Sequence, residues 1–370
     1  ALAACDLEER AEAVLRAHIE RHASAEAVVV ELGRVLLRAG RDAALQALVE
    51  ASMQAEPLRA QGHWLRACSR ERLGDLDAAA EQLEALLVLD PEADVPRHRL
   101  ASVERRRGRH AQALSHLRWL AEHEPPGDHD WDRMTEATIV GDWAQVRDSA
   151  RRLELRIEGL DAEGPIDVPM GLCRVRFGED DGAQHDYYAE RRGPVTARVV
   201  QLAGPRRREH FEDLVVFDAG PVNPRPEPNG DGDGDGDGDD EWEPIYPVVA
   251  VLEPGGRRTW ALDGVHPGPE AWDALVARLE ALGGLIRVRS DAAYQHDDPD
   301  DEGRSLPGIY AYACMPEALE PAQLHAQLTE WTAGWERPLV WPELAAALPD
   351  GPERQRELAR VAEVTDRYAL

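Results

Sequence analysis

The sequence predicts an α+β chain, in which an all-α helical-repeat solenoid is followed by an antiparallel β region and then a βαββαβ region. Three observations carry this prediction. Glycine, proline and apolar residues recur at a 34-residue step through about the first 155 residues. Beyond that point, polar and apolar residues alternate in short runs bounded by Gly and Pro. After a tract of Asp-Gly dipeptides, strand-like and helix-like segments follow one another to residue 370. The expected domains are therefore 1–158 (helical repeats), 159–224 (a small β subdomain), 225–243 (a disordered acidic linker) and 244–370 (an α+β domain).

The repeat is carried by five columns in register. Gly40, Gly74 and Gly108 stand 34 apart, with Gly141 following 33 later; Pro57, Pro91 and Pro125 keep the same step. So do Gly33, Ala67 and Ala101, then Leu45, Ala79 and Ala113, then Val49, Leu83 and Leu117. Each column has a physical task. The small residue in the first helix of a unit is expected to let the second helix approach. The turn glycine takes the left-handed conformation that ends the first helix. The apolar residues four apart line one face of the second helix, and proline stops it. A fourth unit, running from about Trp131 through Gly141 and Trp143 to Leu153, lacks the proline.

With these columns, residues 24–155 resemble the tetratricopeptide repeat (TPR) family. The resemblance implies a concave inner face built from the first helix of each hairpin. Position by position, that face presents Arg34, Arg38, Trp64, Glu71, Arg72, Ser102, Arg105 and Arg106. Its guanidinium groups would suit an acidic peptide or a terminal carboxylate. The competing reading is a solvated face on which these arginines pair with neighbouring acids. In a third, the acidic half of the same chain occupies the groove. Arg70 replaces the family's aromatic in the second unit, which implies looser packing there.

Residues 170–177, 185–192, 195–202 and 212–219 read as four strands of an antiparallel sheet or partly closed barrel. The tract NGDGDGDGDGDDE (229–241) cannot bury apolar surface and is expected to be disordered. It lacks both a nine-residue apolar period and a terminal glutamate in an EF-hand register, so no calcium site is expected there. Strands at 246–253 and 258–262, a helix at 269–283, strands at 285–290 and 308–315, a helix at 320–334 and a strand at 338–341 then give the split order of ferredoxin-like domains. A last helix covers about 351–368. Trp272, Leu275, Leu279 and Leu282 on one helix, with Leu324, Leu328 and Trp331 on the other, are expected core. In element order and acidity this half also resembles, faintly, the regulator domains that inhibit ribonuclease E.

Charge restricts the partners. The formal net charge is −29, with 42 basic residues, all arginine, against 71 acids. Residues 1–158 hold 22 Arg and 29 acids (−7), leaving 20 Arg and 42 acids (−22) for 159–370. Direct nucleic-acid binding is not expected of such a field; a basic protein is its natural partner, unless the charge serves solubility alone. The four cysteines (Cys5, Cys68, Cys173, Cys314) form no CxxC pair and imply a reducing compartment. With no signal peptide and no long apolar run, the expectation is a cytoplasmic chain with no membrane contact.

The sequence holds no nucleophile, dinucleotide, P-loop or HExxH motif, so no catalytic residue, cofactor or metal is expected. Three clusters are candidate sites. HDYY places His185 and Tyr187 on one strand face, where acid–base chemistry is conceivable but an ordinary half-buried strand is the simpler reading. The loop His296, Asp297, Asp298, Asp300, Asp301 and Glu302, and the stretch His123, Asp128, His129, Asp130 and Asp132, both read as solvated polar turns. The leading function is a non-catalytic TPR binding protein, an adaptor or a bacterial immunity or antitoxin-like inhibitor of a basic protein. The alternatives are an enzyme with its site near His185, and a scaffold within a larger secretion or regulatory complex.

Overall fold

The computed structural model describes residues 8–22, 26–178, 182–223, 225, 242–297, 300 and 304–370. Two compact units result, residues 1–167 and 168–370. The expected boundary at 158 therefore moves to 167, because the guanidinium groups of Arg147 and Arg151 hold the carbonyls of Gly159 and Leu160 against the last repeat. The Asp-Gly tract and Cys5 lie outside the described residues.

The first unit opens with α1 (Glu8–Arg21) and continues as four helical hairpins: α2 (Glu26–Arg38) with α3 (Asp42–Gln54), α4 (Arg59–Arg72) with α5 (Leu76–Leu89), α6 (Asp94–Arg106) with α7 (His110–His123), and α8 (Asp128–Val140) with α9 (Trp143–Arg152). It is a TPR-like array. The same closure ends the first helix of every hairpin. Gly40, Gly74, Gly108 and Gly141 have φ of +64°, +77°, +69° and +77°. The following amide reaches back five residues, Arg41 to Leu36, Asp75 to Arg70, Arg109 to Glu104 and Asp142 to Ala137, at 2.8–2.9 Å. Asp75 and Asp142 then cap the second helices by accepting from Ala78 and Gln145, both at 3.2 Å. The columns at Leu45, Ala79, Ala113 and at Val49, Leu83, Leu117 are all buried.

One expectation is extended and one changes. Ala67 and Ala101 pack with the second helices of their own hairpins, Ala67 with Ala79, Ala80 and Leu83 and Ala101 with Leu117 and Leu120. At Gly33 the tight contact is with the next unit, since a Cβ there would lie 2.1 Å from Leu65 on its first helix. The 123–132 stretch is also more than a solvated turn, since His129 and Asp130 are buried at the start of α8.

In the second unit, β1 (Leu172–Gly178), β2 (Gln184–Arg191), β3 (Thr196–Val199), β4 (Leu214–Phe217) and β5 (Ile245–Glu253) form a closed barrel. Its neighbours pair antiparallel except β1 with β5, which pair in parallel. Alternate residues Cys173, Val175, Phe177, Tyr187, Ala189, Ala197, Val199, Val215 and Phe217 fill it. This corrects the domain assignment. The 159–224 segment is not a complete subdomain, because its barrel closes only with β5, and the Asp-Gly tract connects β4 to β5 instead of joining two domains.

The second sheet starts at β6 (Arg257–Val265), a nine-residue strand where a short one was expected. It continues through α10 (Pro269–Ala281), β7 (Leu285–Val288), β8 (Gln295–Asp297), β9 (Ser305–Pro316), α11 (Pro321–Thr332) and β10 (Leu339–Val340), and ends in α12 (Pro342–Ala346) and α13 (Pro352–Tyr368). The order β10-β6-β9-β7 is antiparallel throughout, with β8 added on β9. Trp272, Leu275, Leu279, Leu324 and Leu328 are buried in its core, with Leu282 and Trp331 packed at the margin.

Candidate functional site

The predicted inner-face residues lie on α2, α4 and α6. Arg38, Arg72 and Arg106 stand one repeat apart, and all three are exposed. Arg34 and Ser102 are exposed too, whereas Trp64, Glu71 and Arg105 are half-buried.

The guanidinium groups are largely engaged by acids of the same unit. Arg34 meets Glu31 at 3.3 Å, and Arg72 pairs with Asp42. Arg106 donates to Glu71 at 2.6 Å, and Arg99 donates to the other oxygen of Glu71 at 2.8 Å. Arg105 pairs with Asp132 and, at 2.8 Å, with the buried Glu136. Arg99 also lies over Trp64, 5.2 Å from its ring centre. The structure thus gathers Trp64, Glu71 and Arg106 around Arg99, which the sequence reading missed. It places Arg34, Arg72 and Arg105 in separate ion pairs. A face of paired charges describes these arginines better than one of unpaired cations.

At the junction of the third and fourth repeats a second constellation forms. His98 on α6 places Nε2 2.9 Å from both carboxylate oxygens of Glu124, the residue that ends α7. His129, at the second position of α8, places Nδ1 3.5 Å from Glu124 Oε2 and Nε2 3.4 Å from Asp130 Oδ2. Asp130 is fully buried and accepts from Arg152 at 2.8 Å and from the Gly127 amide at 3.2 Å. Burial holds the His129 imidazole below its ordinary pKa, against the opposing pull of Asp130 and Glu124. One ligand atom from each of His98, Glu124 and His129 lies within 4.8 Å of the others. His123 is not part of this group; it stacks on Trp119 at 3.8 Å. His98 stands one 34-residue step after Trp64, which places it in the same column of the first helices but does not by itself bring it to Glu124 and His129.

In the second unit His185 and Tyr187 both lie on β2, two residues apart. Tyr187 is buried in the barrel and donates to the Arg208 carbonyl at 3.1 Å. The imidazole it meets is that of His210, at 5.4 Å between rings, and His210 in turn hydrogen-bonds Asp213 at 2.8 Å. The residues before β4 and those around β6 enclose a cleft of about 440 Å³, lined by Arg206, Arg207, Arg208, Arg257, Arg258 and Trp260, among others. Neither His185 nor Tyr187 lines it. Arg257 is held by Glu212 at 2.8 Å, and Arg258 lies 4.1 Å over the Trp260 ring. The loop candidate reduces to His296 and Asp297 on β8 and to Asp300, which pairs with Arg367 at 2.7 Å; Asp298, Asp301 and Glu302 fall outside the described residues.

Among the described residues no helix is long and apolar enough to cross a membrane. No family model and no curated protein matches the chain. Similar solved structures include the MamA protein, 10% identical over 41% of this chain and 82% of that one, with a TM-score of 0.33. YrrB, described as a TPR protein with an unusual peptide-binding site, is 16% identical over 41% of this chain and 78% of its own, with a TM-score of 0.31. A tetratricopeptide repeat protein from Parabacteroides merdae ATCC 43184 is 15% identical over 41% of this chain and 61% of its own, with a TM-score of 0.33. At these identities and TM-scores none of them carries a residue role, ligand or partner over to this chain.

Proposed function

We propose that this chain is a protein-binding adaptor whose helical repeats hold a segment of another protein along the inner helices. The observation that supports this most is the recurrence of Arg38, Arg72 and Arg106 as exposed residues at one step per repeat, flanked by half-buried Trp64 and exposed Ser102. A row at this spacing offers one contact per repeat to an extended ligand, with Trp64 as an anchor of the kind that dominates interface energetics. Because Arg72 and Arg106 are already paired with Asp42 and Glu71, hydrogen bonding and shape would select the ligand more than a strong attraction for acids.

The finer reading is that the partner is basic and that the second unit inhibits it. The support is the −22 balance of residues 159–370 and the order β10-β6-β9-β7, which is the strand order of a ferredoxin-like sheet. Electrostatic steering of this kind weakens as salt rises.

The test is affinity capture from the native cell with the full chain and with a Trp64→Ala, Arg38→Ala, Ser102→Glu variant shown to be folded by circular dichroism. A partner retained by the first and lost by the second is the expected result. Equal retention by both would refute a role for the inner face. A complex whose association rate does not change between low and high salt would remove the basic-partner reading alone.

A further inference from the structure

We propose that His98, Glu124 and His129 form a binding site for a divalent transition-metal ion, zinc being the ion their donor set suits best, which ties the third repeat to the fourth. Two imidazoles and one carboxylate are the protein ligands of one established class of zinc site, whose fourth position stays open. Bond lengths of about 2.0–2.1 Å in tetrahedral geometry place neighbouring donor atoms about 3.4 Å apart. Here Glu124 oxygen lies 2.9 Å from His98 Nε2 and 3.5 Å from His129 Nδ1. All three donor atoms lie within 4.8 Å of one another, so an ion would draw the two imidazoles together around Glu124.

The surroundings are those of a built site. His129 is 4% exposed, and its Nε2 makes no hydrogen bond among the described residues although Asp130 Oδ2 is 3.4 Å away. With Nδ1 bound to a cation, Nε2 carries the proton and faces that carboxylate, the arrangement by which a second acid orients a metal-bound histidine. Asp130 is itself fixed by Arg152 and by the Gly127 amide. Without a cation, two imidazoles whose centres are 5.8 Å apart share a single carboxylate. The three donors sit on α6, at the end of α7 and at the start of α8, so one ion would clamp three helices. His98 and Glu124 are half-buried, which leaves the fourth position open to water or to a group from a partner.

The site is tested on the untagged full chain, stripped with a chelator, by calorimetric titration with Zn²⁺ and by the visible absorption of bound Co²⁺. One tight equivalent is expected, with a tetrahedral Co²⁺ spectrum and a Tm that rises with zinc. His98→Ala and Glu124→Gln should each weaken binding by about 100-fold or more, since even the loss of an outer partner costs about 10–100-fold. Both should abolish the spectrum and the Tm response. His123→Ala, outside the group, should change none of these. Absence of a stoichiometric site would overturn the proposal. So would tight binding that survives both substitutions, because it would then belong to other acids such as the Asp-Gly tract.

Discussion

Arg106 donates to Glu71 Oε1 at 2.6 Å while Arg99 takes the other oxygen at 2.8 Å, so one carboxylate of the second repeat holds two guanidinium groups of the third. The carboxylate is much less exposed than either arginine. The pairing therefore offsets one of the two positive charges and leaves both guanidinium groups hydrogen-bonded.

Glu71→Gln should release both arginines. Ion pairs this exposed are worth about 0–1 kcal/mol each, so urea denaturation should show only a small loss of stability. Affinity for an acidic peptide should increase, read by fluorescence anisotropy with a labelled oligo-glutamate. If the peptide binds no better to the variant, the internal pairing does not govern access to the inner face.

The barrel carries an acid-sensitive pair. Asp186 accepts two bonds from Arg176, at 2.6 and 3.0 Å, and one from Arg174 at 3.1 Å. The Arg176 hydrogen bonds hold its carboxyl below the usual range, despite some desolvation. A depressed folded pKa stabilises the fold above the ordinary carboxyl pKa of about 4, and that contribution is lost as pH falls towards the folded value. Equilibrium unfolding of the wild type should weaken below about pH 4 more steeply than that of Asp186→Asn. Parallel pH profiles for the two proteins would show that the pair contributes nothing.

The repeats were legible because each column answers a local demand. A turn that needs positive φ takes Gly40, Gly74, Gly108 or Gly141, and a helix face takes Leu45 or Leu83, whatever the rest of the chain does. The barrel was half legible. Alternation marks β1 to β4, but nothing local to Ile245–Glu253 says that it closes a barrel across the intervening Asp-Gly tract. The His98, Glu124 and His129 group lay beyond reach for the same reason. Glu124 and His129 flank one turn, but His98 joins them only when the third hairpin folds back. Likewise the contact of Tyr187 with His210 was hidden, because period-two alternation names the face a side chain shares and not what crosses the barrel to meet it.

Cys173 and Cys314 are buried, and burial pushes both thiols up to about 11; Cys68 is raised for the same reason. Thiolate is the reactive form, so in a Cys5→Ser background no thiol should be titrated quickly by a disulfide reagent at neutral pH. All three should react once guanidinium unfolds the chain. Fast labelling of Cys173 or Cys314 in the native protein would mean that the barrel or the second sheet opens on that timescale.

Among the described glycines of the second unit, Gly255 leaves the least room for a Cβ. A Cβ built there would lie 2.0 Å from the Phe211 carbonyl oxygen and 3.0 Å from the Asp213 amide nitrogen. The Gly255 amide meanwhile donates to Asp213 Oδ1 at 2.6 Å. Asp213 also holds His210, which stacks on Phe177 at 3.6 Å inside the barrel. No side chain can rotate out of the way, so Gly255→Ala must shift the 211–213 backbone and strain or break the hydrogen bond from the Gly255 amide to Asp213. Overpacking typically costs about 1–3 kcal/mol, and loss of a hydrogen bond to a charged carboxylate adds about 1.5–3 kcal/mol. The variant should therefore lose about 2.5–6 kcal/mol in equilibrium unfolding of the second unit, while the helical signal of the first unit is unchanged. Gly256→Ala next to it, with φ of +61° and nothing within 4 Å of an added Cβ, should lose only about 1 kcal/mol. Equal losses at the two positions would mean that left-handed backbone strain, and not the contact with Phe211, sets the requirement for glycine in this turn.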